Sequence, residues 1–262
     1  MSLHFIYRLT TYILAVHVIL QAIEVLIIQR TMLKQDLYNV SNYSDQFKKC
    51  PQFLAQLFTT IITPHFFSVI LLTHIFLAVA LIFKLHFLIL LPLLLTHLVI
   101  NLRFLGSYNG GSDHVTTMVL TALVASSFYL DNPYSLKMGL YYIAIQSTLS
   151  YFIAGYVKIK QKSWLSGNAL RIFLLLEANN ATRFFKKLAP MKPFILLMTW
   201  GMFFFEILFP LTILNINILM IFLIIGFAFH FMNFIIFGLN RFVISWTMTY
   251  PAILYLSYNI QI

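Results

Sequence analysis

The sequence predicts an all-α, polytopic membrane helix bundle of eight or nine hydrophobic helices, and three observations carry that prediction. Hydrophobic residues make up 61% of the 262 residues and charged residues 9%, whereas soluble domains run at roughly 45–50% apolar and about 25% charged. The charges cluster at intervals, leaving uncharged runs close to the ~20 residues that a helix needs to cross a hydrocarbon core. Phenylalanine (27) and tyrosine (14) are abundant, as expected of rings packed in lipid and at its interfaces. A globule in water could not hide this much apolar surface, so soluble, fibrous and disordered classes are excluded. A single transmembrane domain over 1–262 is expected, with no soluble domain at either end.

The elements follow in chain order. The first span is expected from Phe5 to Gln29, where only Arg8 and Glu24 are charged. It is too long for a signal peptide and has no small-residue cleavage site, so it reads as a retained span. Residues 30–62 are polar by comparison and read as a loop. Pro64 opens a second span over 65–83. Further uncharged runs lie between Lys84 and Arg103, from Val115 to Leu130, and between Lys137 and Lys158. Segment 164–180 is shorter and amphipathic, and fits a half-span, an interfacial helix or a full span. From Pro193 to Asn240 only Glu206 is charged, which predicts two helices divided near Asn215–Asn217. A last span is expected over 242–259, containing Pro251.

Lysine and arginine number 17 against 7 acidic residues, a formal net charge of +10. In a membrane chain this points to cationic loops touching anionic headgroups. The lipid bilayer is thus the expected partner, and no basic run is long enough for a nucleic-acid arm. The basic residues divide too evenly between the two sides for the positive-inside rule to set the orientation. Cys50 is the single cysteine, so neither an intramolecular disulfide nor a cysteine metal site is expected. The 8 histidines are scattered, with no pair at i, i+4, so no metal is expected. No Gly-rich phosphate loop or Gly-x-Ser-x-Gly elbow is present.

Ionisable groups inside spans are costly and are functional candidates by default. His17, Gln21 and Glu24 share one helical face and read first as polar glue between helices. His97 and Asn101 are one turn apart. The loop Tyr108-Asn109-Gly110-Gly111-Ser112-Asp113-His114 follows, with Ser or Asp as a plausible N-cap; a capped turn accounts for it as chemistry. Lys158 ends an apolar helix and is either a snorkelling lysine or, beside the apolar core, a general base. Glu206 needs a partner or a proton, and its plain reading is a neutral acid joining helices. His230 and Asn233 share a face, as glue or facing a cavity.

Read together, three strings stand in order: Tyr-Asn-Gly-Gly-Ser-Asp (108–113); Tyr-Phe-Ile-Ala-Gly-Tyr-Val-Lys (151–158) followed by Trp164-Leu165-Ser166-Gly167; and Phe-His-Phe-Met-Asn-Phe-Ile-Ile-Phe-Gly-Leu-Asn-Arg-Phe (229–242). The chain resembles the transmembrane domain of the vitamin K-dependent gamma-carboxylase family, the horizontally transferred transmembrane domain (HTTM), over most of its length. The resemblance implies a carboxylase-like enzyme of the lyase class. Lys158 would be the base that deprotonates a reduced quinone of the vitamin K type, and His230 a second catalytic residue. Asn233, Asn109, Asp113 and His114 would line the substrate site, and Lys158 would face the exoplasmic side.

The chain also departs from the family. No counterpart of the large lumenal domain of the animal enzyme is expected after the spans, and 172–176 reads Ile-Phe-Leu-Leu-Leu where that enzyme has an arginine and a histidine. The length suits the bacterial branch similar to sporulation-delaying protein B, although its amino-terminal Asn-Pro-Trp pattern is missing. That branch implies the alternative: a non-catalytic component of the bacterial inner membrane that matures or exports a secreted antimicrobial peptide with a small partner protein.

Overall fold

Long apolar runs leave a backbone in lipid few ways to pair its amides, and the α-helix, which pairs them all internally, is the simplest. The computed structural model describes residues 1–32, 51–104, 111–179 and 181–261, and all regular structure among these residues is helical. They fall into two compact units, Thr11–Asp131 and Met1–Thr10 with Asn132–Ile262.

The unit Thr11–Asp131 takes most of α1 (Leu3–Met32) and all of α2 (Gln52–Ile61), α3 (Pro64–Phe83), α4 (Phe87–Arg103) and α5 (Gly111–Ser127). Pro64 stands in the first turn of α3, where its missing N–H has no intrahelical partner to lose. Ala22, Val25, Phe67, Leu71, Ile100 and Phe104 form a buried cluster.

The other unit holds α6 (Pro133–Ile159), α7 (Lys162–Leu165), α8 (Asn168–Leu175), α9 (Arg183–Leu188), α10 (Lys192–Leu208), α11 (Ile216–Phe237), α12 (Asn240–Thr247) and α13 (Tyr250–Ile260). α6 packs on α10 and α13, and α11 on α12. The expected division near Asn215–Asn217 is a helix cap. Asn215 Oδ1 accepts from the Asn217 and Ile218 amides at 3.0 and 3.3 Å, satisfying donors that have no partner inside the helix.

Leu3–Gln29, Pro64–Phe83, Lys192–Leu214 and Ile216–Phe237, of 27, 20, 23 and 22 residues, are long and apolar enough to cross a membrane. They mark the chain as a membrane protein. Of the other expected segments, α4 and α5 have 17 residues each and α13 has 11. α6 has 27, but carries Lys137, Lys158 and the polar run Gln146-Ser147-Thr148.

Two boundaries differ from the sequence reading, and one segment that it left open is short. Residues 52–61, expected as loop, are helical; Phe53, Leu54, Leu57, Phe58 and Ile61 recur at helical spacing. Segment 164–180 is not one helix. Gly167, at φ 76, breaks it after α7, and α8 has 8 residues, about 12 Å of helix against a ~30 Å core. The expected span 242–259 breaks at Met248 and Thr249, ahead of Pro251 in the first turn of α13.

Candidate functional site

In the unit containing Asn132–Ile262, Tyr151, Gly155 and Lys158 lie four and seven positions apart on α6 and therefore share a face. Gly155 lets α10 come close: a Cβ at that position would stand 2.8 Å from Ile207 Cγ1 and 2.9 Å from Glu206 Cβ. Small residues commonly permit such contacts between membrane helices. Here the contact brings Glu206 to Lys158, whose Nζ donates to Oε1 at 2.5 Å, with side-chain exposures of 22% for the lysine and 4% for the acid. Nζ also lies 5.8 Å from the centroid of the Trp164 ring, within reach of its quadrupole. Lys158 thus leans back against its neighbouring helix. Glu206, read from sequence as needing a partner or a proton, has Lys158 as its partner.

Two turns earlier on α6 the Tyr151 hydroxyl lies 2.7 Å from His230 Nε2. Rings enclose both residues. His230 stacks on Trp246 at 5.1 Å and 8°, with Phe229 at 5.2 Å and Phe242 at 6.2 Å. Tyr151 stacks on Phe209 at 4.3 Å and meets Phe205 edge-on. His230 Nδ1, Trp246 Nε1 and Glu206 Oε2 are buried without a hydrogen-bond partner among the described residues. Such atoms are uncommon in folded proteins and mark strain, a role in chemistry, or a missing ligand. Asn233 is half-buried and turns its amide back to the Phe229 carbonyl at 3.1 Å, so it does not reach His230.

The unit Thr11–Asp131 holds a second polar set. From α1, Gln21 Nε2 donates to Asp113 Oδ1 at 3.0 Å, and His17 Nε2 lies 2.9 Å from Thr116 Oγ1. From α4, His97 Nε2 lies 3.1 Å from Thr117 Oγ1, to which Asn101 Nδ2 also donates at 3.2 Å. From α3, His74 Nδ1 lies 2.7 Å from Thr96 Oγ1, and its ring stacks on His97 at 6.1 Å. Thr116, Thr117 and Thr96 give their hydroxyl protons to the carbonyls of Ser112, Asp113 and Pro92, at 2.8, 2.8 and 3.0 Å. Each of the three imidazoles therefore meets a hydroxyl that is itself tied to its own helix.

The expected site residues separate accordingly. Lys158, His230 and Asn233 belong to the unit with Asn132–Ile262, and Asp113 and His114 to Thr11–Asp131. Asp113 is buried in the first turn of α5, inside the helix rather than at its cap, and His114 beside it is exposed. Asn109 lies outside the described residues. Among the described residues no three of His, Cys, Asp and Glu gather in a way that could hold a metal.

Sequence reasoning missed Tyr151 and Trp246, and it named Glu206 without its partner. Tyr151 was legible, two turns from Lys158 on one helical face. Glu206, the only charge between Pro193 and Asn240, called for a cation, but nothing local says which. Trp246 lies beyond any spacing rule, because α12 meets His230 only through the fold. Fold and site together define a helical membrane protein with a lysine–glutamate pair at a helix contact and a ring-enclosed histidine bonded to a tyrosine two turns from that lysine. No protein-family model, no curated protein and no solved structure matches the chain.

Proposed function

We propose that the chain is a multi-pass integral membrane protein, with eight or nine hydrophobic segments in a bacterial inner membrane, that performs acid–base chemistry on a lipid-soluble substrate. The observation carrying this reading is the Lys158–Glu206 contact, at 2.5 Å and with the lysine side chain 22% exposed. Proton transfer from Nζ to Oε1 leaves a neutral amine beside a neutral acid, with no net charge added to an apolar site. The amine then takes the proton of a substrate O–H and becomes an ammonium, which balances the oxyanion just formed. Of the pair, Lys158 is the member that substrate can reach.

A reduced quinone of the vitamin K type, as the carboxylase-like resemblance implies, is the substrate class we favour. It is apolar enough to enter from lipid, and it carries the hydroxyl that the amine would deprotonate. His230 Nδ1 and Trp246 Nε1, buried without partners among the described residues, supply hydrogen-bonding groups for a substrate oxygen. Tyr151, hydrogen-bonded to His230 Nε2, holds that imidazole in place.

One observation favours a second reading, a non-catalytic component in maturation or export of a secreted peptide with a small partner protein. Trp246, Phe229 and Phe242 pack around His230 as a structural core residue would be packed. Lys158→Ala and Lys162→Ala, compared in the native host at equal membrane abundance, separate the readings. Under the enzyme reading only Lys158→Ala abolishes the phenotype or product. Wild-type behaviour of both variants removes Lys158 from any catalytic role.

A further inference from the structure

Between α6 and α10 the chain does not turn directly but runs a strap over residues 160–191. Six basic residues lie in it, Lys160, Lys162, Arg171, Arg183, Lys186 and Lys187, with Lys192 just beyond and Glu177 as its one acid. Leu174, Ala181, Phe185 and Ala189 bury the strap's inner side against Ile195 of α10 and Ile236 of α11. The Thr182 amide donates to the Ile236 carbonyl at 3.0 Å. These contacts tie the strap to the first turns of α10 and the last turns of α11, two helices that belong to candidate membrane spans.

The outer side mixes two kinds of exposed residue. Arg171, Arg183 and Lys187 are exposed, and beside them Ile172, Leu176 and Phe184 are 60%, 51% and 65% exposed. Water suits the cations and hydrocarbon suits the apolar side chains; the boundary between headgroups and acyl chains suits both. Among the described residues no carboxylate pairs with Arg171, Arg183 or Lys187. The opposite ends of the same two helices differ, since residues 193–240 contain no lysine or arginine. The positive charge is thus gathered at one end of this pair, against the helix ends that a bilayer surface would meet.

We propose that the strap is a seat for anionic phospholipid: its cations take headgroup phosphate oxygens, and Ile172, Leu176 and Phe184 reach the upper acyl chains. A cation near an anionic surface gains from each additional charge, so selectivity should rest on several side chains together.

Native mass spectrometry of the detergent-solubilised full chain tests this, with equal amounts of phosphatidylglycerol and phosphatidylcholine added. Retention of phosphatidylglycerol over phosphatidylcholine by roughly tenfold or more is expected. The preference should disappear in Arg171→Gln/Arg183→Gln/Lys187→Gln and persist in Lys84→Gln. Equal retention of the two lipids by the parent, or an unchanged preference in the triple variant, overturns the proposal. In the parent chain, raising ammonium acetate from about 0.1 M to about 1 M shortens the screening length from ~10 Å to ~3 Å and should abolish the preference; a preference that survives overturns the proposal without any variant. Displacement of phosphatidylglycerol by inorganic phosphate would assign the cations to a free-phosphate site and overturn it as well.

Discussion

In the unit Thr11–Asp131 each buried imidazole of α1, α3 and α4 meets a threonine hydroxyl, whereas in the unit with Asn132–Ile262 Glu206 meets a charge and His230 a phenol. The hydroxyls of Thr96, Thr116 and Thr117 are themselves tied to carbonyls one turn back, so these three contacts join helices through hydroxyls, while the Asp113 carboxylate accepts from Gln21. Such bonds between membrane helices are worth about 0.6 kcal/mol on average. The Lys158–Glu206 pair differs in kind. Both members depend on each other for charge balance, the acid is 4% exposed, and the lysine is the only side of the pair with appreciable exposure. The difference separates hydroxyl contacts that join helices from an oppositely charged pair with one partly exposed member.

The comparison can be broken most directly at Lys158. Lys158→Met strands the Glu206 carboxylate and should cost about 3–5 kcal/mol, while Lys158→Met/Glu206→Leu should recover most of it, because an apolar replacement for a buried pair is often neutral or better. Unfolding by SDS in mixed micelles measures both; a single-variant loss below about 1 kcal/mol would show that the two charges do not depend on each other.

Gly155→Ala comes next. Its new Cβ would meet Ile207 and Glu206 at 2.8 and 2.9 Å, forcing α6 and α10 apart at a cost of about 1–3 kcal/mol. Gly201→Ala on α10, with nothing within 4 Å of the added carbon, should stabilise by about 0.5–1 kcal/mol. Equal effects in the same unfolding assay would refute the close-contact account.

Tyr151→Phe removes the partner of His230 Nε2 and should cost on the order of 1–2 kcal/mol, read by the same assay, with tryptophan fluorescence reporting on Trp246 stacked upon the imidazole. The smallest effect is expected in the other unit. Thr116→Val takes away the hydroxyl that meets His17 Nε2 and should cost less than about 1 kcal/mol. A loss as large as that of Lys158→Met would erase the contrast between the two units.

Much of the bundle was legible in advance because hydropathy acts locally. The helices at 64–83 and 216–237 coincide with uncharged runs and that at 3–32 with a sparsely charged one, and the division at Asn215 follows from a side chain that caps amides two and three residues on. The errors were local in origin as well. Polar neighbours hid the short helix at 52–61, and at 164–180, where half-span, interfacial helix and full span stood open, Gly167 sets the break. The site was half legible. Lys158, His230 and Glu206 drew notice because charge or imidazole is expensive inside apolar helices, but their partners were not readable. Lys158 and Glu206 are 48 positions apart and Tyr151 and His230 are 79 apart, and no periodicity reaches across such separations.

By itself the amino-acid order determined that this chain is helical, that lipid is its natural solvent, and which few polar side chains would be costly to bury. Those properties follow from transfer free energies and from hydrogen bonding within a few residues. The pairing of Lys158 with Glu206, the enclosure of His230 by Trp246, and the tying of His17, His74 and His97 to three threonines were decided only by tertiary packing. Each depends on which helices touch and in what register, and a helix's own sequence records the face that it offers rather than the neighbour that takes it.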